Sequence, residues 1–158
     1  MTDPTSLPDF PPPSHEHPLR GRVLDVLFDE GYRPDLDADG DIAVKVAGQQ
    51  LYLRCAEGEI TLLRVFGQWR LDDTAAAGEL NLLRACNAVS SRLSVAKTTL
   101  GEDILIVSAD HVVTQGTPLP MIVTSSLELV LNAVNLWHEC LAEISGFGTG
   151  GPPAGDDV

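Results

Sequence analysis

Residues 37–71 read DADGDIAVKVAGQQLYLRCAEGEITLLRVFGQWRL, and this stretch decides the fold. Ile42, Val44 and Val46 alternate with Ala43 and Lys45. Leu51, Leu53 and Cys55 alternate with Tyr52 and Arg54. A period of two marks strands with one face buried. Gly48-Gln49 and Glu57-Gly58 read as the turns between successive antiparallel strands, and Asp37 to Gly40 as a polar turn into the first, with Gly40 supplying a positive φ. The third strand differs. Ile60, Leu62 and Phe66 share one parity while Leu63, Val65 and Trp69 share the other. That pattern predicts a central strand covered on both faces, or one bulged at Gly67.

Upstream, Pro18 suits the first turn of a helix, and Leu19, Val23, Leu24, Leu27 and Phe28 recur at helical spacing until Gly31 and Pro34 end it. Downstream, Asp72-Asp73-Thr74 offers N-caps for a second helix whose onset Gly78 delays, with Leu82, Cys86, Val89 and Leu93 as its stripe. Residues 94–100 and 104–114 read as two more strands around Gly101. Ile104 and Ile106 oppose Leu105 and Val107 in parity, which predicts cover on both sides here too. After the break at Gly116 to Pro120, Ser125 and Glu128 match a capping box, so the last helix is expected over 125–144 with Gly146 as its stop. It carries one apolar stripe of Leu127, Val130, Leu131, Val134, Trp137 and Leu141, and a second of Leu129, Ala133, Leu136 and Cys140. The second stripe is the expected partner or dimer surface, because a helix apolar on two sides needs cover on both. The order helix, three strands, helix, two strands, helix contains no strand–helix–strand repeats. It predicts an α+β fold with a twisted, mainly antiparallel five-stranded sheet.

Composition divides the chain into a Pro-rich tail (1–17), one domain (18–145) and a Gly/Pro-rich acidic tail (146–158); both tails are expected to be flexible. The net charge is -13, and all ten Lys and Arg lie from Arg20 to Lys97. Such a surface repels phosphate backbones and anionic lipid, so neither nucleic acid nor a membrane is the expected partner. Cys55, Cys86 and Cys140 lack any CxxC spacing and read as reduced thiols. No signal peptide and no apolar run of membrane-spanning length is expected, which places the chain in the cytoplasm.

Chemistry-bearing motifs are few. Residues 35–42 match the first half of an EF-hand loop, but position twelve is Val46 inside a strand where a bidentate Glu is required. No metal is therefore expected. His138 and Cys140 sit two apart on a helix and diverge, while His15, His17 and His111 make no ligand spacing. Cys86 and Cys140 would serve as nucleophiles only with a base brought near in space, and their apolar surroundings favour inert thiols. No GxSxG, P-loop or GxGxxG occurs. No catalytic residue and no cofactor is expected.

The same stretches resemble a YbjN-like domain, in particular its actinobacterial branch. There an Asp-Gly turn leads to strands ending in Leu-x-Val-x-Gly-x-Trp, matched by Leu63, Val65, Gly67 and Trp69. A helix with Asn-x-x-Asn and a Lys-bearing strand follow, matched by Asn87 and Lys97, with Ser90 in place of the second Asn. The resemblance covers most of 19–145 and implies a type III secretion chaperone-like fold with no catalytic residues to carry over. The expected function is a non-enzymatic, regulatory or chaperone-like module that binds a protein partner through apolar helix or sheet surface. The alternatives are a homodimer without a client, and a small-ligand binder or enzyme with a cavity between sheet and helices.

Overall fold

The structure, a computed structural model, describes residues 18–72 and 74–149. The Pro-rich tail and the last nine residues lie outside them. In chain order the elements are α1 (Leu19–Asp29), β1 (Asp35–Leu36), β2 (Ile42–Val46), β3 (Gln49–Ala56), β4 (Leu62–Arg70), α2 (Glu79–Arg92), β5 (Ala96–Leu100), β6 (Ile104–Val112) and α3 (Leu119–Thr149). The strands form one antiparallel sheet in the order β1-β2-β3-β4-β6-β5. The α+β class is as expected, with six strands rather than five. The addition is β1, two exposed residues paired with Ile42 and Ala43, too short to show any alternation.

One face of the sheet meets all three helices. Ile42, Val44, Leu51, Leu53, Leu63, Val65, Leu105, Val107 and Ala109 project into a core with Val23 and Leu27 of α1, Ala85 and Val89 of α2, and Val123, Val130, Ala133 and Trp137 of α3. Burying this apolar surface is the main force holding helices to sheet. Trp137 is fully buried, and its indole N–H donates to Cys86 Sγ at 3.3 Å. The Cys86 carbonyl accepts Thr98 Oγ1 at 3.1 Å, so α2, α3 and β5 share one satisfied polar node inside the core.

Several local expectations are corrected. The β2–β3 turn is Ala47-Gly48, both at positive φ (50° and 77°), because Val46 pairs with Gln49; this is the geometry of a tight hairpin. β4 begins at Leu62, leaving Ile60 exposed in the connection. Gly67 is not a bulge, since β4 and β6 pair without interruption from Leu62↔Val112 to Arg70↔Ile104. Its role is space: a Cβ there would lie 2.3 Å from the Trp69 ring and 2.9 Å from Leu51. Neither β4 nor β6 is covered by helices on both faces; Ile104 and Ile106 are half-buried on the side away from the core. Phe28, placed on the apolar stripe of α1, is 58% exposed.

The helix ends also differ. A 3-10 turn at Ala75–Ala77 precedes α2, whose N-cap is Gly78 rather than the acidic cluster. α3 starts one and a half turns or so before the expected capping box, with the Pro118 carbonyl accepting the Ile122 N–H. Ser125 lies inside the helix and donates to the Met121 carbonyl at 2.6 Å, which leaves it no cap to make. Pro120 falls within the first turn, where a missing N–H breaks no helical bond. At the other end α3 passes Gly146 and runs to Thr149. Contrary to expectation, Leu119–Gly146 is long and apolar enough by length and composition to cross a bilayer. In this fold its Val123, Leu127, Val130, Ala133, Val134 and Trp137 instead cover the sheet.

Candidate functional site

Strand alternation sends every second side chain away from the helices. Tyr52, Arg54 and Ala56 of β3, Leu62, Arg64, Phe66, Gln68 and Arg70 of β4, and Ile106, Ser108, Asp110 and Val112 of β6 therefore share the opposite face of the sheet. No helix packs on this face among the described residues. Antiparallel sheets often leave one face to water, and the polar alternation then runs unbroken. Here it is broken by an apolar band. Leu62 (40% exposed) stands directly across from Val112 (61% exposed). Phe66 is buried on the same face without helix cover: Tyr52 stacks on it with ring centroids 5.4 Å apart, and the Arg54 guanidinium lies 5.3 Å over its ring.

Around the band runs a ladder of charges. Arg54 clasps Asp41 through Nε (2.9 Å) and Nη2 (2.6 Å), and Asp41 is nearly buried. Arg64 clasps Asp110 through Nε (2.7 Å) and Nη2 (3.1 Å), with Lys97 Nζ at 3.3 Å from the same carboxylate. The bidentate geometry makes these the best-formed ion pairs on the surface. Hydrogen bonding from Arg64 holds the Asp110 carboxyl below the usual range; burial opposes it, and a weaker hydrogen bond from Lys97 adds to the lowering. Arg54 and Arg64 face each other directly across β3 and β4. Like charges in that position repel, and each is drawn to its own carboxylate on the far side. Arg54, Ala56, Leu62, Arg64 and Asp110 enclose a shallow cleft of about 240 Å³. Asp39 and Asp37 of the acidic turn also act on the Arg54 guanidinium, whereas at the other end of the ladder Arg64 and Lys97 share Asp110.

The residues singled out from sequence are dispersed. Of the expected partner surface, Ala133 and Cys140 are buried in the protein's own core, and only Leu129 and Leu136 reach the outside of α3, half-buried. Helical periodicity places a residue on a side of the helix, and only the packing of α1 and α2 against α3 decides which sides are already taken. Asn87 and Ser90 lie exposed on α2. Cys55 is half-buried, and burial pushes its thiol up to about 11. The acidic turn is internally committed: Asp37 Oδ1 accepts the N–H groups of Asp39 and Asp41, both at 2.9 Å, with Gly40 at φ 82°. His111 reaches Ser126 Oγ at 2.7 Å across the sheet–α3 interface, and burial lowers its pKa. Asp110 follows the strand alternation to the opposite face and pairs there with Arg64 and Lys97. Clefts of about 450 and 480 Å³ lie at the rims, one beside Leu19, Glu57 and Val113, the other beside Glu79, Leu83 and Asp103.

No local pattern in the sequence marks the Arg54–Arg64–Asp110 ladder, although Arg54 and Lys97 occupy polar positions of their strands. Arg64 and Asp110 are 46 residues apart and meet because β6 inserts between β4 and β5.

No family model matches the chain, and no relative is found among the curated proteins. Among solved structures it is similar to the crystal structure of YbjN from E. coli, at 13% identity and a TM-score of 0.48, covering 81% of this chain and 92% of that one. At that level the likeness bears on neither activity nor partner.

Proposed function

We propose that the chain is a non-enzymatic, cytoplasmic, regulatory or chaperone-like module that receives a segment of a partner protein on the open face of its sheet. The observation that carries this reading is the exposed Leu62–Val112 pair set beside the Arg54 and Arg64 guanidiniums. An apolar band with charged borders is what a protein interface requires, with aromatic and Arg anchors at its centre. The overall charge of -13 works against nucleic acid on the same surface. Capture from native lysate with wild-type and Leu62→Asp/Arg64→Glu baits tests it. Partners are expected with the first and not the second. Identical captures, or none in either case, would sink the reading.

A second reading rests on α3. Ile122, Leu129 and Leu136 are spaced seven residues apart and all remain half-buried, forming a stripe suited to a second copy of the helix. Sedimentation at micromolar concentration discriminates: a monodisperse monomer removes the homodimer.

A further inference from the structure

The rim cleft of about 480 Å³ beside the start of α2 differs in kind from the open face. Its apolar lining is Leu71 and Leu82, both buried, the half-buried Leu100, and Leu83, which is 47% exposed. The Leu71 N–H donates to the Asp103 carbonyl at 3.1 Å, which ties the end of β4 to the β5–β6 turn and fixes the frame. Among the leucines stand Asp72, Glu79, Glu102 and Asp103, and no Lys or Arg lines the cleft. Arg70 lies 3.7 Å from Asp72, a loose pair between two exposed side chains. Among the described residues Glu79, Glu102 and Asp103 have no cation partner. The four carboxylates are also spread out. No three His, Cys, Asp or Glu among the described residues come together closely enough to hold a metal ion. One small cation therefore cannot satisfy them, whereas several cations carried at intervals along a chain can.

We infer that this cleft docks a peptide segment of a partner protein in which a bulky apolar residue, seated on the leucines, is flanked by Lys or Arg that meet the carboxylates. The cavity is of the size that takes a large side chain with its adjoining backbone. Apolar contact with the leucines holds the segment, since exposed ion pairs contribute little each. The acidic rim steers basic segments in and turns acidic ones away. This site does not rest on the open-face reading. From Leu62 to Arg70 the strand runs eight residues, about 26 Å, so the cleft and the Leu62–Val112 band lie at opposite ends of β4.

The test is NMR titration of the isotopically enriched full chain with three synthetic peptides, each with Leu, Phe or Trp between two Lys-Arg pairs. Amides of 71, 79–83 and 100–103 are expected to shift. Glu79→Gln/Glu102→Gln should weaken binding by about tenfold, and Leu83→Ser by about fivefold. Both changes fall on surface side chains, and Leu62→Asp should leave the affinity as it is. No shift with any of the three peptides, or equal affinity for a peptide with Gly at its centre, would overturn the inference. So would the same shifts on adding calcium chloride alone, which marks a cation site, or on concentrating the protein alone, which marks a second copy as the occupant. Shifts confined to 62–64 and 110–112 would place the peptide on the open face, ending this inference and leaving the reading of that face intact.

Discussion

Gly67→Ala separates a steric role from a backbone one. Gly67 sits mid-strand without a positive φ, so an alanine fits the backbone there. On intrinsic grounds the change should stabilise β4 by about 0.5–1 kcal/mol, since glycine is costly within a strand. The surroundings reverse the sign. The new Cβ would meet the Trp69 ring at 2.3 and 2.7 Å and Leu51 Cδ2 at 2.9 Å. The indole must leave its seat, losing the hydrogen bond from Trp69 Nε1 to Gln49 Oε1 (2.9 Å). That bond contributes about 1 kcal/mol, and overpacking of this kind costs about 1–3 kcal/mol. The expected net loss is about 2 kcal/mol, read as a lower midpoint in urea unfolding. In a Trp69→Ala background the obstruction largely disappears, and Gly67→Ala becomes neutral or stabilising by up to about 1 kcal/mol. The coupling between the two positions is then the measured quantity. Equal losses in both backgrounds would refute the steric account.

Three further outcomes follow from the geometry. Trp137→Ala removes the largest fully buried side chain and its bond to Cys86, and is expected to cost about 3–5 kcal/mol in chemical denaturation. Burial lowers the pKa of His111, so the unfolded chain binds the proton more readily: stability is full above about pH 6.5 and falls as pH drops towards the folded-state value, and His111→Gln should flatten that part of the profile. For Cys55 the sign is opposite. With its thiol pushed up to about 11, its contribution is full below the ordinary thiol pKa and lost as pH rises through 11, and iodoacetamide should modify it slowly at pH 8 in the folded chain and rapidly in urea.

The open sheet face shows where sequence reading reached and where it stopped. Apolar residues of both parities in β4 and β6 predict cover on two sides. Leu63, Val65, Leu105 and Val107 do face the helices, while Phe66 is buried by Tyr52 and the Arg54 guanidinium. A pattern of polarity reports that a side chain is shielded, and cannot tell helix cover from shielding by a neighbour in the same sheet. Half of the second stripe of α3 is taken up inside the protein's own core for a related reason. Ala133 and Cys140 lie on it as expected, but α3 is central to the helical layer, and its neighbours bury more than one side. The capping box failed through competition. A Ser and Glu at the right spacing also occur inside a helix, and there the hydroxyl bonds back to the preceding turn.

The sequence alone determined the order of the major elements, the alternating core positions of β2 and β3, the polar turn at Asp37–Asp41 and the acidity of the surface, because each is a property of neighbours along the chain. Only the tertiary structure decided that β6 lies between β4 and β5, and with it the pairing of Leu62 with Val112 and of Arg64 with Asp110. Those contacts join residues about fifty positions apart in the chain. They follow from burying one face of the sheet under three helices, a condition on the whole fold that no local pattern contains.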